Sequence, residues 1–520
     1  MNKLRKIRKI VAVFFLVNLT LLFLDFTGTM HDWFGWMAKI QFFPAILALN
    51  IVVFALVLLT LLLGRVYCST ICPLGVLQDL ISKVATKIKK NRFTYSPAMN
   101  KLRYVVLGLF IVAFILLGAH NVVALLEPYS AFGRIVSTLL SPIYLYGNNI
   151  LAGIAERADS YAFYRVDIFL KSMTLFAVAI VTLVAVGVLA WRNGRTYCNT
   201  ICPVGTLLGF LSRFSFYKHR IDASKCNNCG LCAMNCKASC INPEALTVDY
   251  SRCVSCFNCS NQCSKNAMLY SRSKQQETST NNNNNSKNND NKNSTEKNVN
   301  ENNDKNNEQV NTSLRTSLAM AGTLLATSVV KTHAKTVDGG FVFLEDKKSS
   351  ERQTPLIPPG SQSIRNFKRQ CTSCQLCITV CSNNVLRSLD GIVPDMTFDR
   401  GYCRPECVKC SEVCPTGAIK KITVEEKSST QIGHAVWLPE NCVVLVDGVK
   451  CDNCARSCPA GAIDMVAFHS GNNDSKDVDT QKIPAINTER CIGCGACEHL
   501  CPSRPYSAIY VEGHIVHRII

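Results

Sequence analysis

Cysteine sets the chemistry of this chain: 29 of its 520 residues are cysteine. Residues 226–236 read "CNNCGLCAMNC" and residues 253–263 read "CVSCFNCSNQC". Each is a C-x2-C-x2-C-x3-C run, the spacing that binds [4Fe–4S] clusters, with the fourth cysteine serving the neighbouring cluster. Three closely spaced thiolates wrap three irons of one cubane, and the fourth reaches across. The expected sets are Cys226, Cys229, Cys232 with Cys263, and Cys253, Cys256, Cys259 with Cys236. Zinc fits poorly, because a tetrahedral ion prefers two separated cysteine pairs to three thiols within seven residues. Lys237 and Ser264 stand where a proline usually follows the fourth cysteine, and Cys240 is left over as a non-ligand.

Four more quartets follow in residues 371–501. They are Cys371, Cys374, Cys377, Cys381; Cys403, Cys407, Cys410, Cys414; Cys442, Cys451, Cys454, Cys458; and Cys491, Cys494, Cys497, Cys501. The second and third have stretched first spacings, which admits a loop without losing the later ligands. Sixteen cysteines in four quartets imply four cubanes. Small residues in "CPTGAI" and "CPAGAI" let backbone amides approach the sulfurs. By analogy with four-cluster electron-transfer subunits, the first and fourth quartets exchange fourth ligands, and the second and third likewise.

The last four cysteines lie in a repeated turn, "GRVYCSTICPLG" at 64–75 and "GRTYCNTICPVG" at 194–205. Cysteines at i and i+4 share a helical face, and the following proline disfavours helix at its predecessor. Cys68 and Cys72 facing Cys198 and Cys202 supply four thiolates for one further iron–sulfur centre. Two redox-active thiol pairs, or plain structural cysteines, are the competing readings.

Each turn follows an apolar run, and these runs must position it. Four stretches, about 10–26, 44–63, 104–126 and 173–191, approach the roughly 20 apolar residues that span a bilayer. Lys and Arg crowd the N-terminus, the 83–103 region and residues 192–220, so the positive-inside rule puts the N-terminus and both turns on the cytoplasmic side. Trp33 and Trp36 read as interfacial anchors, and residues 127–172 as an outer loop. After the first turn, Leu77, Leu80, Ile81, Val84 and Ile88 share a face, as in a helix lying on a membrane surface. The formal charge of +19 therefore reads as membrane topology rather than nucleic-acid binding. The expected fold is multidomain: an α-helical membrane bundle of four helices plus α+β ferredoxin-like [4Fe–4S] domains. Its divisions are 1–215 membrane domain, 216–272 two-cluster ferredoxin domain, 273–312 Asn-rich disordered tether, 313–335 signal-like or fifth spanning segment, and 336–520 four-cluster domain. The apolar stretch 317–330 has 14 residues, short for a span, and leaves export and docking both open.

The first 270 residues resemble NapH-type membrane ferredoxins of periplasmic nitrate reduction, and the duplicated turns are shared with NosR- and CcoG-type proteins. From about residue 313, including "PLIPPG" before the first quartet, the chain resembles NapG/MauM-type ferredoxins. That resemblance implies a NapH–NapG fusion in a bacterial cytoplasmic membrane, taking electrons from quinol or a cytoplasmic donor and passing them to a reductase outside the cytoplasm. NapG-type chains carry a twin-arginine export signal; only Arg315 stands at the matching place. "LLEPYSAFGR" at 125–134 resembles the family's segment after helix three, and Glu127 and Arg134 are its candidate quinone-site residues, with an ordinary loop as the competing reading. No serine–histidine–acid set, phosphate loop or dinucleotide glycine motif suggests substrate chemistry of the chain's own. Implied partners are the lipid bilayer, quinone and a redox partner protein. The alternative function is a CcoG-like accessory factor in the maturation of another metalloenzyme.

Overall fold

The computed structural model describes residues 2–89, 93–115, 120–160, 162–272, 337–338, 342–343, 346–388, 391–468 and 481–520. The tether 273–312 and the 313–335 segment lie outside the described residues. The chain forms two compact units, Met1–Arg272 with Glu345–Ile520, and Ser273–Leu344. Of the second, the strand pair Val337–Asp338 and Val342–Phe343 is described.

Among the described residues two helices, Lys3–Leu24 and Met173–Asn193, are long and apolar enough to cross a membrane. The second expected span is divided, and the third is described on either side of residues 116–119. Phe42–Leu47 and Val52–Leu63 are separate helices, parted where Leu49 takes a left-handed φ of 49°, a conformation that ends helical propagation. Asn100–Ile115 and His120–Leu126 flank residues outside the described set. Beyond Glu127 the expected loop is mostly helical. Pro128–Ile135 passes through a π-turn at Val136–Leu140 into Ser141–Arg157. Prolines at 128 and 142 sit in first helical turns, where their missing N–H costs nothing, so they read as breakers in sequence while starting helices.

Each Cys-x-x-x-Cys turn is one helical turn, Val66–Thr70 or Thr196–Thr200, broken before the proline that opens the next helix, Pro73–Lys89 or Pro203–Ser212. In Pro73–Lys89 the expected apolar face is present, and Leu80, Val84 and Ile88 on it are exposed. The cysteine-rich blocks are built from short helices and two-stranded antiparallel sheets: Tyr217–Ile221 with Met268–Arg272, Ile463–Phe468 with Gln481–Ile486, and Thr430–Trp437 with Ile509–Ile519.

The N-terminal helix, Asn2–Leu24, runs between the two blocks. Near its start, Arg8 reaches Ser69 and Asp79, and Asp79 in turn holds Lys237 of the first block. Near its end, Phe23 packs with Tyr129 and Phe132 beneath Cys374 of the second block. Arg8 and Phe23 are about 22 Å apart along the axis at 1.5 Å per residue.

Candidate functional site: an ordered series of cysteine groups

The first block folds as its spacing predicts. Cys226, Cys229, Cys232 and Cys263 line one cavity with Ile221, Leu246 and Met268. Cys253, Cys256 and Cys259 gather with Cys236. Cys240 is buried with its Sγ 3.4 Å from the Sγ of Cys236, and this contact holds the Cys236 thiol down at about 7.

In the second block the ligand groups form, but their partners differ from expectation. Cys381 joins Cys403, Cys407 and Cys410 around one cavity, while Cys414 joins Cys371, Cys374 and Cys377. Cys501 joins Cys442, Cys451 and Cys454, and Cys458 joins Cys491, Cys494 and Cys497. Exchange therefore runs between consecutive quartets, first with second and third with fourth, not first with fourth. The physical reason is locality: each pair of neighbours closes its own hydrophobic core, one around Phe367 and Phe398 and one around Ala462 and Ile509. The two halves touch where the Cys403 N–H donates to the Cys494 carbonyl at 2.9 Å.

Two backbone features fit these groups to iron–sulfur clusters. In all four unstretched runs the third and fifth residues are left-handed: Asn228 and Gly230, Ser255 and Phe257, Ser373 and Gln375, Gly493 and Gly495. The five that are not glycine, Asn228, Ser255, Phe257, Ser373 and Gln375, cost free energy unless something over-determines them, and the turns coil the three thiols around one centre. The stretched quartets lack the pattern. The second feature is amide donation to sulfur after the fourth cysteine. Ala267 N–H donates to Cys263 Sγ at 3.2 Å, Ala462 to Cys458 at 3.3 Å, and Ile419 to Cys414 at 3.4 Å. The "CPTGAI" and "CPAGAI" turns thus do what their small residues suggested. Burial pushes the Cys374 and Cys494 thiols up to about 12, so a positively charged centre is what makes such groups thiolates.

The repeated turns bring Cys68, Cys72, Cys198 and Cys202 into one buried core, each under 5% exposed. The two halves grip each other reciprocally. Arg195 Nη1 donates to the Cys68 carbonyl at 2.6 Å, and Arg65 Nη2 to the Cys198 carbonyl at 3.2 Å. Gly75 and Gly205 lie against the same two carbonyls, where a Cβ would sit far inside contact distance. Asp79 holds Arg195 at 2.8 Å, Lys237 at 3.3 Å and Arg8 at 3.4 Å.

Both blocks dock on this core. Gly64 and Gly194, at φ of 78° and 68°, receive Ser255 and the Lys237 carbonyl of the first block. Lys237 occupies the usual proline position, and its side chain and carbonyl make this joint. At the other end, Lys409 Nζ donates to Thr27 O and Lys171 Nζ to Ile378 O, each at 2.9 Å. Burial holds Lys171 down at about 8. The Cys374 carbonyl lies against the Gly133 backbone, where a Cβ would come within 2.5 Å of it.

Of the proposed quinone residues, Glu127 is buried and caps the Pro128–Ile135 helix, accepting from the backbone N–H of Tyr129 and Ser130. Arg134 is buried, donates to the Leu125 carbonyl at 3.1 Å, and keeps Nε and Nη1 without partners. His31 pairs with Asp25 at 3.2 Å. Sequence reasoning missed Asp79, Arg65, Arg195 and Lys237; the arginines were visible within the repeat, whereas the cations around Asp79 are 71 to 158 residues away in sequence.

The 4Fe-4S binding domain family matches residues 45–91 and 174–221, and the 4Fe-4S dicluster domain family matches 449–504. An uncharacterized protein of Methanocaldococcus jannaschii is 26% identical over 277 residues, 52% of this chain and 89% of that one. The putative electron transport protein YccM of Escherichia coli is 27% identical over 209 residues, 40% of this chain and 51% of its own length. The ferredoxin-type protein NapG of Escherichia coli is 26% identical over 171 residues, 31% of this chain and 73% of its own. No solved structure matches. The chain carries 4Fe–4S ferredoxin domains and is similar to ferredoxin-type electron-transport proteins.

Proposed function

We propose that the chain is a membrane-bound iron–sulfur conductor holding six [4Fe–4S] clusters, two in the first block and four in the second. The observation that carries this reading is the order of the cysteine groups. The Cys226 group lies farthest out in the first block, and the Cys253 group lies against the repeated turns. The Cys371 group lies against Tyr129 and Gly133 at the other end of the N-terminal helix. The Cys403 group follows, joined through Cys494 to the Cys491 and Cys442 groups.

Bound in these groups, the clusters supply one-electron transfer. The chain's own residues hold the thiolates and orient amides at sulfur; Cys229 of the outermost group is exposed, whereas the cysteines of the other groups are half-buried or buried. Four membrane passes keep the N-terminus and the first block on the cytoplasmic face, and a fifth crossing or export through the 313–335 segment carries the second block to the outer face. Quinol or a cytoplasmic donor then feeds one end, and a redox partner protein drains the other.

Iron and acid-labile sulfide measured on anaerobically purified full chain test this. Six clusters require about 24 iron atoms per chain. Zinc in their place, or iron enough for only the first block, sinks the proposal.

A further inference from the structure

We infer that Cys68, Cys72, Cys198 and Cys202 jointly hold one additional iron–sulfur centre, the relay between the two blocks, and that Arg65 is the cation that balances its charge. The inference rests on the conductor reading above and adds a seventh centre to it.

Geometry separates this from the thiol-pair reading. Every one of the four sulfurs has a donor aimed at it. Gly205 N–H donates to Cys202 Sγ at 3.3 Å, and Gly75 N–H to Cys72 at the equivalent place. Gln78 Nε2 donates to Cys198 Sγ at 3.3 Å, and Arg65 Nη2 approaches Cys68 Sγ at 3.9 Å. Such a complete donor set suits sulfurs that carry negative charge. Exchange with a partner's disulfide requires an accessible thiolate, and none of these four is accessible. Among the described residues, no three ligating side chains close around the point a single ion would occupy; a sulfide-bridged centre is larger than one tetrahedral ion.

Charge supports the same assignment. Arg65 is fully buried. Its partners are Asn199 Oδ1, the Ser251 and Cys198 carbonyls and Cys68 Sγ, and among the described residues no carboxylate pairs with it. Arg195, its counterpart in the repeat, is already balanced by Asp79. A buried cation without an anion is strongly unfavourable, and a centre ligated by four thiolates is the anion Arg65 faces. Each matched 4Fe-4S binding region contains one cysteine pair, half a ligand set, and only their apposition completes it.

Position gives the centre its use. Cys256 of the first block packs against the core that holds the quartet, and Cys374 of the second block belongs to that core. Tunnelling falls steeply with distance, and the blocks are separated by most of the N-terminal helix. One electron enters from the cluster on one side and one leaves to the cluster on the other, with no proton and no bond changed in the chain.

The test compares wild-type full chain with Cys72→Ser/Cys202→Ser, both purified anaerobically, by iron and sulfide content and by potentiometric electron paramagnetic resonance. The double variant is expected to lose about two to four iron atoms with matching sulfide, together with one signal, while the signals of the six ferredoxin clusters persist. Arg65→Gln is expected to keep that signal and shift its potential to more negative values, because the reduced, more anionic form loses its counter-ion. Equal iron in wild type and double variant, or zinc in the difference, overturns the relay centre. An unmoved potential in Arg65→Gln overturns its role. If the double variant does not accumulate, the Arg65→Gln titration still decides, since a chain without a seventh centre has no seventh signal to shift. Loss of the six-cluster iron in wild type itself would instead sink the conductor reading.

Discussion

Replacing Asp79 by asparagine keeps the shape of the side chain and removes the one carboxylate shared by Arg8, Arg195 and Lys237. These cations come from the N-terminal helix, the second repeated turn and the first cysteine block, so a single charge ties three parts of the molecule. The carboxylate side chain is 11% exposed and that of Arg195 is 0% exposed, which places the cluster in the regime of buried ion pairs. Breaking a buried pair from one side costs about 3–5 kcal/mol, because the partner charges stay behind uncompensated. At 1.4 kcal/mol per tenfold, the equilibrium for local opening rises about 10²- to 4 × 10³-fold. A chain of several domains does not unfold in one step, so the measurement is amide hydrogen exchange in detergent, read at Val66–Thr70 and Thr196–Thr200. Those amides are expected to lose protection by that factor, and Asp79→Asn combined with Lys237→Gln to recover part of it. A loss below tenfold would mean the cluster behaves as a solvent-screened surface network, and the argument that it clamps the repeat would be wrong.

Gly205→Ala is expected to destabilise the second turn by about 1–3 kcal/mol, the cost of overpacking against backbone, because its Cβ meets the Cys198 carbonyl and lies 3.0 Å from Arg65 Nη2; thermal unfolding of the full chain checks it, and a neutral outcome refutes the close approach. Cys381→Ser is expected to alter the resonance of the cluster bound by Cys403, Cys407 and Cys410 and spare that of Cys371, Cys374 and Cys377, while Cys414→Ser does the reverse; the opposite assignment would restore partnering within each quartet. His219 is buried against Phe257 and Tyr270, and burial alone lowers it to about 4 from an ordinary 6.5. Above pH 6.5 neither folded nor unfolded chain protonates it. Between 6.5 and 4 only the unfolded chain does, so the first block loses stability as pH falls through that window, by about 3 kcal/mol in full. His219→Phe is expected to flatten that leg of the stability curve, and an unchanged slope would assign it elsewhere.

The ligand groups were legible because cluster chemistry is local: three thiols within seven residues can only wrap one centre, and the first block's fourth ligands follow from adjacency. The same rule, applied to the second block, gives the partners seen in the structure; analogy with other four-cluster subunits pointed away from it. The convergence of Cys68, Cys72, Cys198 and Cys202 was legible in the repeat itself. What holds the quartet was not, since Asp79 has no counterpart at the matching position of the second repeat, where Gly209 stands. Left-handed Ser255 and Ser373 carry no compositional mark of their turn. Lys237 looked like a defect in a cluster motif and is a docking residue. Glu127 read from sequence as either a quinone-site candidate or an ordinary loop residue, and its role as a helix cap, set by the proline after it and the two amides beyond, was not legible.

The most direct test of the account is sidedness. A peptide tag inserted in the exposed turn at Glu244–Ala245 and another after Ile520 would be probed with a membrane-impermeant reagent on sealed spheroplasts, then again after lysis. The account predicts labelling at Ile520 from outside and at Glu244 only after lysis. Protection of both until lysis would put all the ferredoxin clusters on one side and contradict conduction across the membrane.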